Sequence, residues 1–387
     1  MTEKKIMAAA PAAPQAPAPR AQKQSDAPKA SQSSSSSTSQ TSSAAPKKSH
    51  DVARKAGILA ILGSMGPGIL TAFAGNDAGG IATYSTTGAS YGYGMLWTVP
   101  LMCLLLIVVQ ETSARMGCAT GKGFASLIRE QFGVRISALA MIALIISNFA
   151  VTLSEFAGIA SGMQLFNVPI IASVPVSALI CWMLTIGGSY RKIEKILLAL
   201  SAVFLTYIVS GVLAKPDWGA ALSATIIPQV SNDPSYISLL VANIGTTISP
   251  YMIFMVSSNV VEKNLDASDI PAQRADNISG AIAAEVVTWF IIMATGTAGI
   301  SVDTAADAAK ALEPLAGEYA SGLFALGLVG ASFLAACVLP GITASAVCEA
   351  FGWERGADRS WKEAPAYYGI ITVITIASAA ICCIPNV

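Results

Sequence analysis

From Gly57 onward the chain alternates long apolar runs with short polar connections that carry most of its charge. A helix needs about 20 predominantly apolar residues to cross a bilayer. By that criterion the pattern predicts about nine spans, at 57–90, 94–117, 136–163, 168–189, 194–214, 236–261, 276–300, 319–350 and 365–385. The runs are continuous in Leu, Ile, Val and Ala rather than alternating, so they predict helices and not the strands of a β-barrel. Two of them are interrupted. The first contains Gly75-Asn76-Asp77-Ala78-Gly79-Gly80, where glycines loosen the helix around a carboxylate. The sixth contains Asn243-Ile244-Gly245-Thr246-Thr247-Ile248-Ser249-Pro250-Tyr251, where Pro250 donates no helical hydrogen bond and crowds the preceding turn. Unwound backbone at membrane depth is tolerated only where it lines a cavity or is buried in protein. Breaks in the first and sixth spans are what an inverted five-plus-five repeat places side by side near the midplane.

Composition supports this reading. The 387 residues are 53% hydrophobic and only 12% charged, with mean hydropathy +0.60, against about 25% charged in a soluble domain. Residues 1–50 differ: Ala, Pro, Gln and Ser dominate, with a run from Ser33 to Ser37 and no apolar core of a signal peptide. They are expected to form a disordered cytoplasmic tail, followed by a transporter domain over 51–387. With about nine spans, all the Lys and Arg residues except Lys215 and Lys310 fall on the side of the tail, so the amino terminus is expected inside. The net charge of zero points to no nucleic-acid partner, and nothing points to an obligatory protein partner beyond the bilayer itself. The seven cysteines include no C-x-x-C and read as small hydrophobes.

No Lys or Arg falls in the middle of a span, and the deep acids are Asp77, Glu155 and Glu285. A one-signed inventory of this kind fits a cation pathway, and a buried ionisable residue is by default a functional-site hypothesis. Asp77 is the strongest candidate, against the alternatives of a helix cap or a packing G-x-x-x-G formed by Gly75 and Gly79. The free carbonyls near Thr246 and Thr247 are candidates to face the same cavity. Glu285 belongs to no motif and is expected to be structural. The single histidine, His50, lies outside the spans, which excludes a membrane-buried imidazole. Enzyme readings lack their parts: there is no second deep aspartate for an aspartyl dyad and no H-E-x-x-H.

These segments resemble the Nramp family of divalent-metal transporters over most of residues 57–385. Gly66-Pro67-Gly68 followed by Asp77-Ala78-Gly79-Gly80 stands where the family has G-P-G and then D-P-G-N, and Ser249-Pro250-Tyr251 stands where it has M-P-H. Ser154-Glu155-Phe156-Ala157-Gly158 resembles its third-span A-E-V-I-G, and Phe324-Ala325-Leu326-Gly327-Leu328 resembles the start of its eighth span. Asp77 keeps the metal-binding acid, whereas Gly80 replaces a ligating Asn and Ser249 a ligating Met. Tyr251 and Val256 stand where the family has histidines, and Thr152 where it has a third-span Asp. The departures look like the NRAMP-related magnesium transporter branch, described as moving Mg²⁺ without proton coupling.

The resemblance implies a LeuT-like inverted repeat with broken first and sixth helices, in a multi-pass protein of a bacterial-type inner membrane. It implies a metal site of Asp77, Asn76, Gly80, Ser249 and the carbonyls of Ala74 and Thr246, with Glu155, Tyr251 and Thr247 along the pathway. The cation is cargo, Mg²⁺ and with it Mn²⁺, and no cofactor is expected. Losing the thioether removes a reason to prefer soft metals, and oxygen ligands in a widened site suit a partly hydrated hard cation. The alternative keeps the fold and moves Mn²⁺ or Fe²⁺ with protons, Glu155 being the remaining candidate carrier. A sodium-coupled amino-acid symporter rests on the broken-helix logic alone. The chain stops after the ninth span, where a tenth is expected to complete the second repeat.

Overall fold

The computed structural model describes residues 72–187, 196–197, 199–299 and 305–384. The expected tail, the first half of the first span with Gly66-Pro67-Gly68, and His50 lie outside the described residues. The described residues form eleven α-helices and no strand. In chain order they are α1 (Ala78–Tyr91), α2 (Thr98–Thr120), α3 (Phe124–Gln164), α4 (Ile170–Gly187), α5 (Leu205–Leu213), α6 (Trp218–Ile226), α7 (Pro234–Thr247), α8 (Pro250–Glu262), α9 (Ile270–Ala298), α10 (Ala305–Phe351) and α11 (Pro365–Cys382). Seven stretches are long and apolar enough to cross a membrane, counting Pro234–Glu262 as one.

Large apolar side chains face outward while a mainly apolar interior encloses scattered polar groups, many of them hydrogen-bonded, as expected where lipid is the solvent. Leu104, Ile146, Ile171, Val241 and Val373 are all more than half exposed, while Gln110, Asn148, Glu155, Asn243 and Asn277 are almost fully buried. Interior amides link helices directly: Asn148 Nδ2 donates to Thr343 Oγ1 at 2.8 Å, joining α3 to α10, and Asn243 pairs with Thr87 across α1 and α7. Glycines permit the closest crossings. A β-carbon on Gly158 of α3 would stand 2.6 Å from the Ala78 β-carbon and also strike Ser332 of α10. One on Gly327 would meet the Tyr207 ring at 2.7 Å.

Charges gather at one end of the bundle. Arg274 pairs with Glu111 at 2.5 Å, Arg355 lies 3.3 Å from Glu349, and Arg129 donates to the Ala350 carbonyl at 2.9 Å. Helix limits depart from the expected spans where local chemistry intervenes. The third span extends back to Phe124 through a kink at Gly133 (φ 78°), and the fifth enters α5 through a 3₁₀ turn at Ser201–Phe204. The connection before the sixth span contains α6, capped by Asp217, whose carboxylate accepts the Ala220 N–H at 3.0 Å.

Candidate metal site at two helix breaks

The first break is stepwise. Gly75 N donates to Ala72 O at 3.2 Å and Asn76 N to Phe73 O at 3.0 Å, tightening the chain before it leaves the helix. Asp77 is then extended (φ −74°, ψ 179°), and α1 begins at Ala78. Asp77 caps that half-helix: Oδ1 accepts the Gly80 N–H at 2.7 Å, and the residue is 4% exposed. The cap and the deep acid of the sequence reading are therefore one residue. Glu155 supports the same turn from α3, with Oε2 accepting the Ala78 N–H at 3.0 Å, while Oε1 has no hydrogen-bond partner. Both carboxyl groups sit at the positive end of α1, where the unpaired N–H groups favour negative charge.

The second break separates α7 from α8. Ile248 (φ −113°, ψ 70°) and Ser249 (φ −77°, ψ 139°) are non-helical, and Pro250 occupies the first position of α8, where a missing N–H costs nothing. The carbonyl end of α7 thus points into the same region. Half-helix C-termini of this kind coordinate cations in transporters.

The breaks are cross-braced. Tyr251 Oη donates to Ala74 O at 2.7 Å, and Tyr84 Oη lies 2.8 Å from Thr247 Oγ1, which itself lies 3.2 Å from Met102 Sδ. A polar seam continues along α1 and α7 through Thr87–Asn243 to Tyr91–Asp233, whose oxygens are 3.1 Å apart at the exposed end. The α1 members, 84, 87 and 91, share one face by helical spacing.

Gly80 marks where the donors converge. A β-carbon built there would stand 3.1 Å from Gly75 O, 3.3 Å from Asp77 Oδ1 and 3.3 Å from Thr246 Oγ1. Gly80 therefore lets a carboxylate, a carbonyl and a hydroxyl oxygen converge into a tight cradle that a β-carbon would crowd. Among the described residues no group of three or more His, Cys, Asp or Glu could hold a resident metal.

The other expected ligands are engaged nearby. The Ala74 carbonyl accepts from Tyr251, and the Thr246 carbonyl accepts from Ser249 Oγ at 3.1 Å. Each retains one lone pair. Asn76 turns toward α9: its Nδ2 donates to Ala284 O at 3.0 Å and its Oδ1 accepts from Thr288 Oγ1 at 3.1 Å. Two oxygens escaped sequence reasoning, the Gly75 carbonyl and the Thr246 side chain; the position of Gly75 directly before the break was the available signal. Sulfur is also present, since Met252 of α8 packs its methyl group against Gly75.

A family model described as Nramp, natural resistance-associated macrophage protein-like, matches residues 68–387. A divalent metal cation transporter MntH from Granulibacter bethesdensis is 30% identical over 279 residues, covering 68% of this chain and 63% of its own length. The MntH of Yersinia pestis is 27% identical over 302 residues, covering 75% of this chain and 73% of its own. A solved manganese transporter from Eremococcus coleocola superposes with TM-score 0.68 at 22% identity, covering 85% of this chain and 72% of that one. That likeness concerns the fold, and it gives the described helices the expected LeuT-like arrangement. The chain thus spans less than two-thirds of the length of the G. bethesdensis relative. Its apolar helices and its relatives make it a multi-pass membrane protein. With the match running through both helix breaks, the chain belongs to the Nramp family.

Proposed function

We propose that this protein moves hard divalent cations, Mg²⁺ and with it Mn²⁺, across a bacterial-type cell membrane by alternating access, with its amino terminus cytoplasmic and without coupling to protons. The observation that carries this reading is the oxygen cradle at Gly80, bordered by Asp77, Gly75 O and Thr246 Oγ1. Mg²⁺ dehydrates reluctantly and keeps several waters. A site without a side chain at position 80, and with Ser249 in place of a thioether, can widen enough for those waters when the helices part. Asp77 supplies the formal charge. Asn76, Ser249 and the Ala74 carbonyl join the hydrated shell when the braces at Tyr251 and Thr246 loosen, and Thr247 and Tyr251 line the approach. The α1–α7 seam is the element that parts to admit the ion. Inward movement of two charges down a potential of 100 mV gains about 4.6 kcal/mol, so no second driving ion is required.

A second reading keeps the fold and moves Mn²⁺ or Fe²⁺ with protons. It is favoured by the names of the relatives, by Met252 beside Gly75, and by the unpaired Oε1 of Glu155. Uptake of Mn²⁺ into proteoliposomes in the presence of millimolar Mg²⁺ separates the two. Strong inhibition is expected here; Mn²⁺ uptake indifferent to Mg²⁺ selects the second reading.

A further inference from the structure

Three acids surround the first break, and the cradle uses only one of them. Glu155 approaches from α3 and is bonded to Ala78 N. Glu285 approaches from α9 on another side and has no such role. It is 4% exposed, and its Oε2 lacks any hydrogen-bond partner. It lines a narrow cleft with Gly75, Asn76, Tyr84 and Thr247, so it faces both breaks at once. The cleft is narrow, and no protein donor reaches Oε2.

Packing does not account for this acid. A charged side chain at the bilayer centre costs about 2.5–3.5 kcal/mol on insertion scales, and a buried acceptor without a donor adds to that cost. The helix that carries it is held firmly in place. Asn76 bonds to Ala284 and Thr288 on either side of Glu285, and Gly88 of α1 packs directly on the backbone of α9 near Thr295. Glu285 is thus fixed against the break by neighbours that do not themselves satisfy it. Tyr84 and Thr247 line the same cleft, their hydroxyl oxygens 2.8 Å apart, at the inner end of the polar seam that runs to exposed Asp233. A carboxylate, a phenol and a hydroxyl are hard oxygen donors, and together they match a partly hydrated divalent cation.

We propose that Glu285, with Tyr84 and Thr247, forms a second cation subsite on the seam side of the break, a station the ion occupies before it reaches Asp77. The inference rests on the divalent-cation reading above. When the seam parts, the cleft widens, and the cation supplies the partner that Glu285 lacks in the closed arrangement. The ion then shifts across Gly75 to the cradle, with the Gly75 carbonyl bordering both stations.

The test is Mn²⁺ binding to the purified full chain, read from loss of the free-ion electron paramagnetic resonance signal, in four forms: wild type, Asp77→Asn, Glu285→Gln and the double variant. Asp77→Asn is expected to leave residual weak binding, and the double variant to remove it. Tyr84→Phe in the Asp77→Asn background is expected to weaken the residual binding about tenfold, the loss of one contact to a charged group, and it keeps the test available if Glu285→Gln fails to fold. Residual binding that is equal in Asp77→Asn and the double variant, or absent from Asp77→Asn alone, overturns the subsite. Unaltered binding in Asp77→Asn with the Glu285 effect intact overturns the Asp77 cradle instead, so the two readings fail separately.

Discussion

Replacing Asp77 by Asn separates its two roles. Asn caps helices about as well as Asp, whereas Ala at an N-cap costs about 1 kcal/mol. The Gly80 N–H that now donates to Asp77 Oδ1 at 2.7 Å therefore keeps an acceptor in Asp77→Asn and loses it in Asp77→Ala. The charge is lost in both. A unit charge pair about 4 Å apart, the reach of a carboxylate to an ion through bound water, is worth about 4 kcal/mol at an effective dielectric of 20, hence about 8 kcal/mol for a divalent ion. Desolvation offsets most of it. What remains is close to a lost charge-assisted contact, about 1.5–3 kcal/mol, or roughly ten- to a hundredfold in apparent affinity. The assay is Mg²⁺ flux into proteoliposomes at sub-saturating Mg²⁺, alongside thermal unfolding of each variant in detergent. Asp77→Asn is expected to unfold with the wild type yet lose flux on that scale. Asp77→Ala is expected to lose the same flux and also some thermal stability. Flux within twofold of wild type in Asp77→Asn would refute the cradle, whatever Asp77→Ala does.

Other predictions follow from neighbouring contacts. Ser249→Met places a thioether at the mouth of the cradle and is expected to strengthen Cd²⁺ inhibition of Mn²⁺ uptake; an unchanged inhibition curve contradicts the soft-ligand argument. Gly80→Asn puts a side chain among three oxygens within 3.3 Å and is expected to lower Mg²⁺ flux more than Mn²⁺ flux; equal loss of both argues against a size effect. Gly158→Val drives side-chain atoms into Ala78 and Ser332 and is expected to cost about 1–3 kcal/mol, the usual scale of overpacking, seen as a lower unfolding temperature. Outside the membrane, the Ser268 hydroxyl and N–H hold the Asp266 carboxyl below the usual aspartate range. A depressed folded-state pKa means the cap's stabilisation is fully present above the ordinary aspartate pKa and is lost as pH falls through the lower folded value. Exchange of the Ser268 amide is expected to quicken in that acid window, and a pH-independent protection of that amide contradicts the assignment.

Both helix breaks were legible because each is forced by residue chemistry. Asp77 among glycines and Pro250 behind a threonine pair leave a helix few options at those points. The acid was legible for the same reason, since a charge at that depth demands a role. The orientation of carbonyl oxygens was not legible. Which of Ala74, Gly75 and Thr246 faces the cradle depends on which of them Tyr251 and Ser249 engage, and Tyr251 lies 177 residues from Ala74 while Ser249 folds back on Thr246 only through the break. Asn76 is instructive in the same way. Its neighbour Asp77 suggested a ligand, yet the carboxamide spans Ala284 and Thr288, more than 200 residues away. Glu285 carried no motif, so only the meeting of α1, α7 and α9 places it beside both breaks. Helix α6 was missed because nine residues between Asp217 and Ile227 are too few to stand out from a connecting loop.

The most direct test of the central claim is Mg²⁺ flux through the full chain in proteoliposomes, with an internal pH dye recorded at the same time. The account predicts Mg²⁺ uptake that follows its gradient and the imposed potential, is inhibited by Mn²⁺, and leaves internal pH unchanged. Acidification that tracks the metal stoichiometrically, or Mn²⁺ uptake with no Mg²⁺ uptake at millimolar concentration, contradicts it.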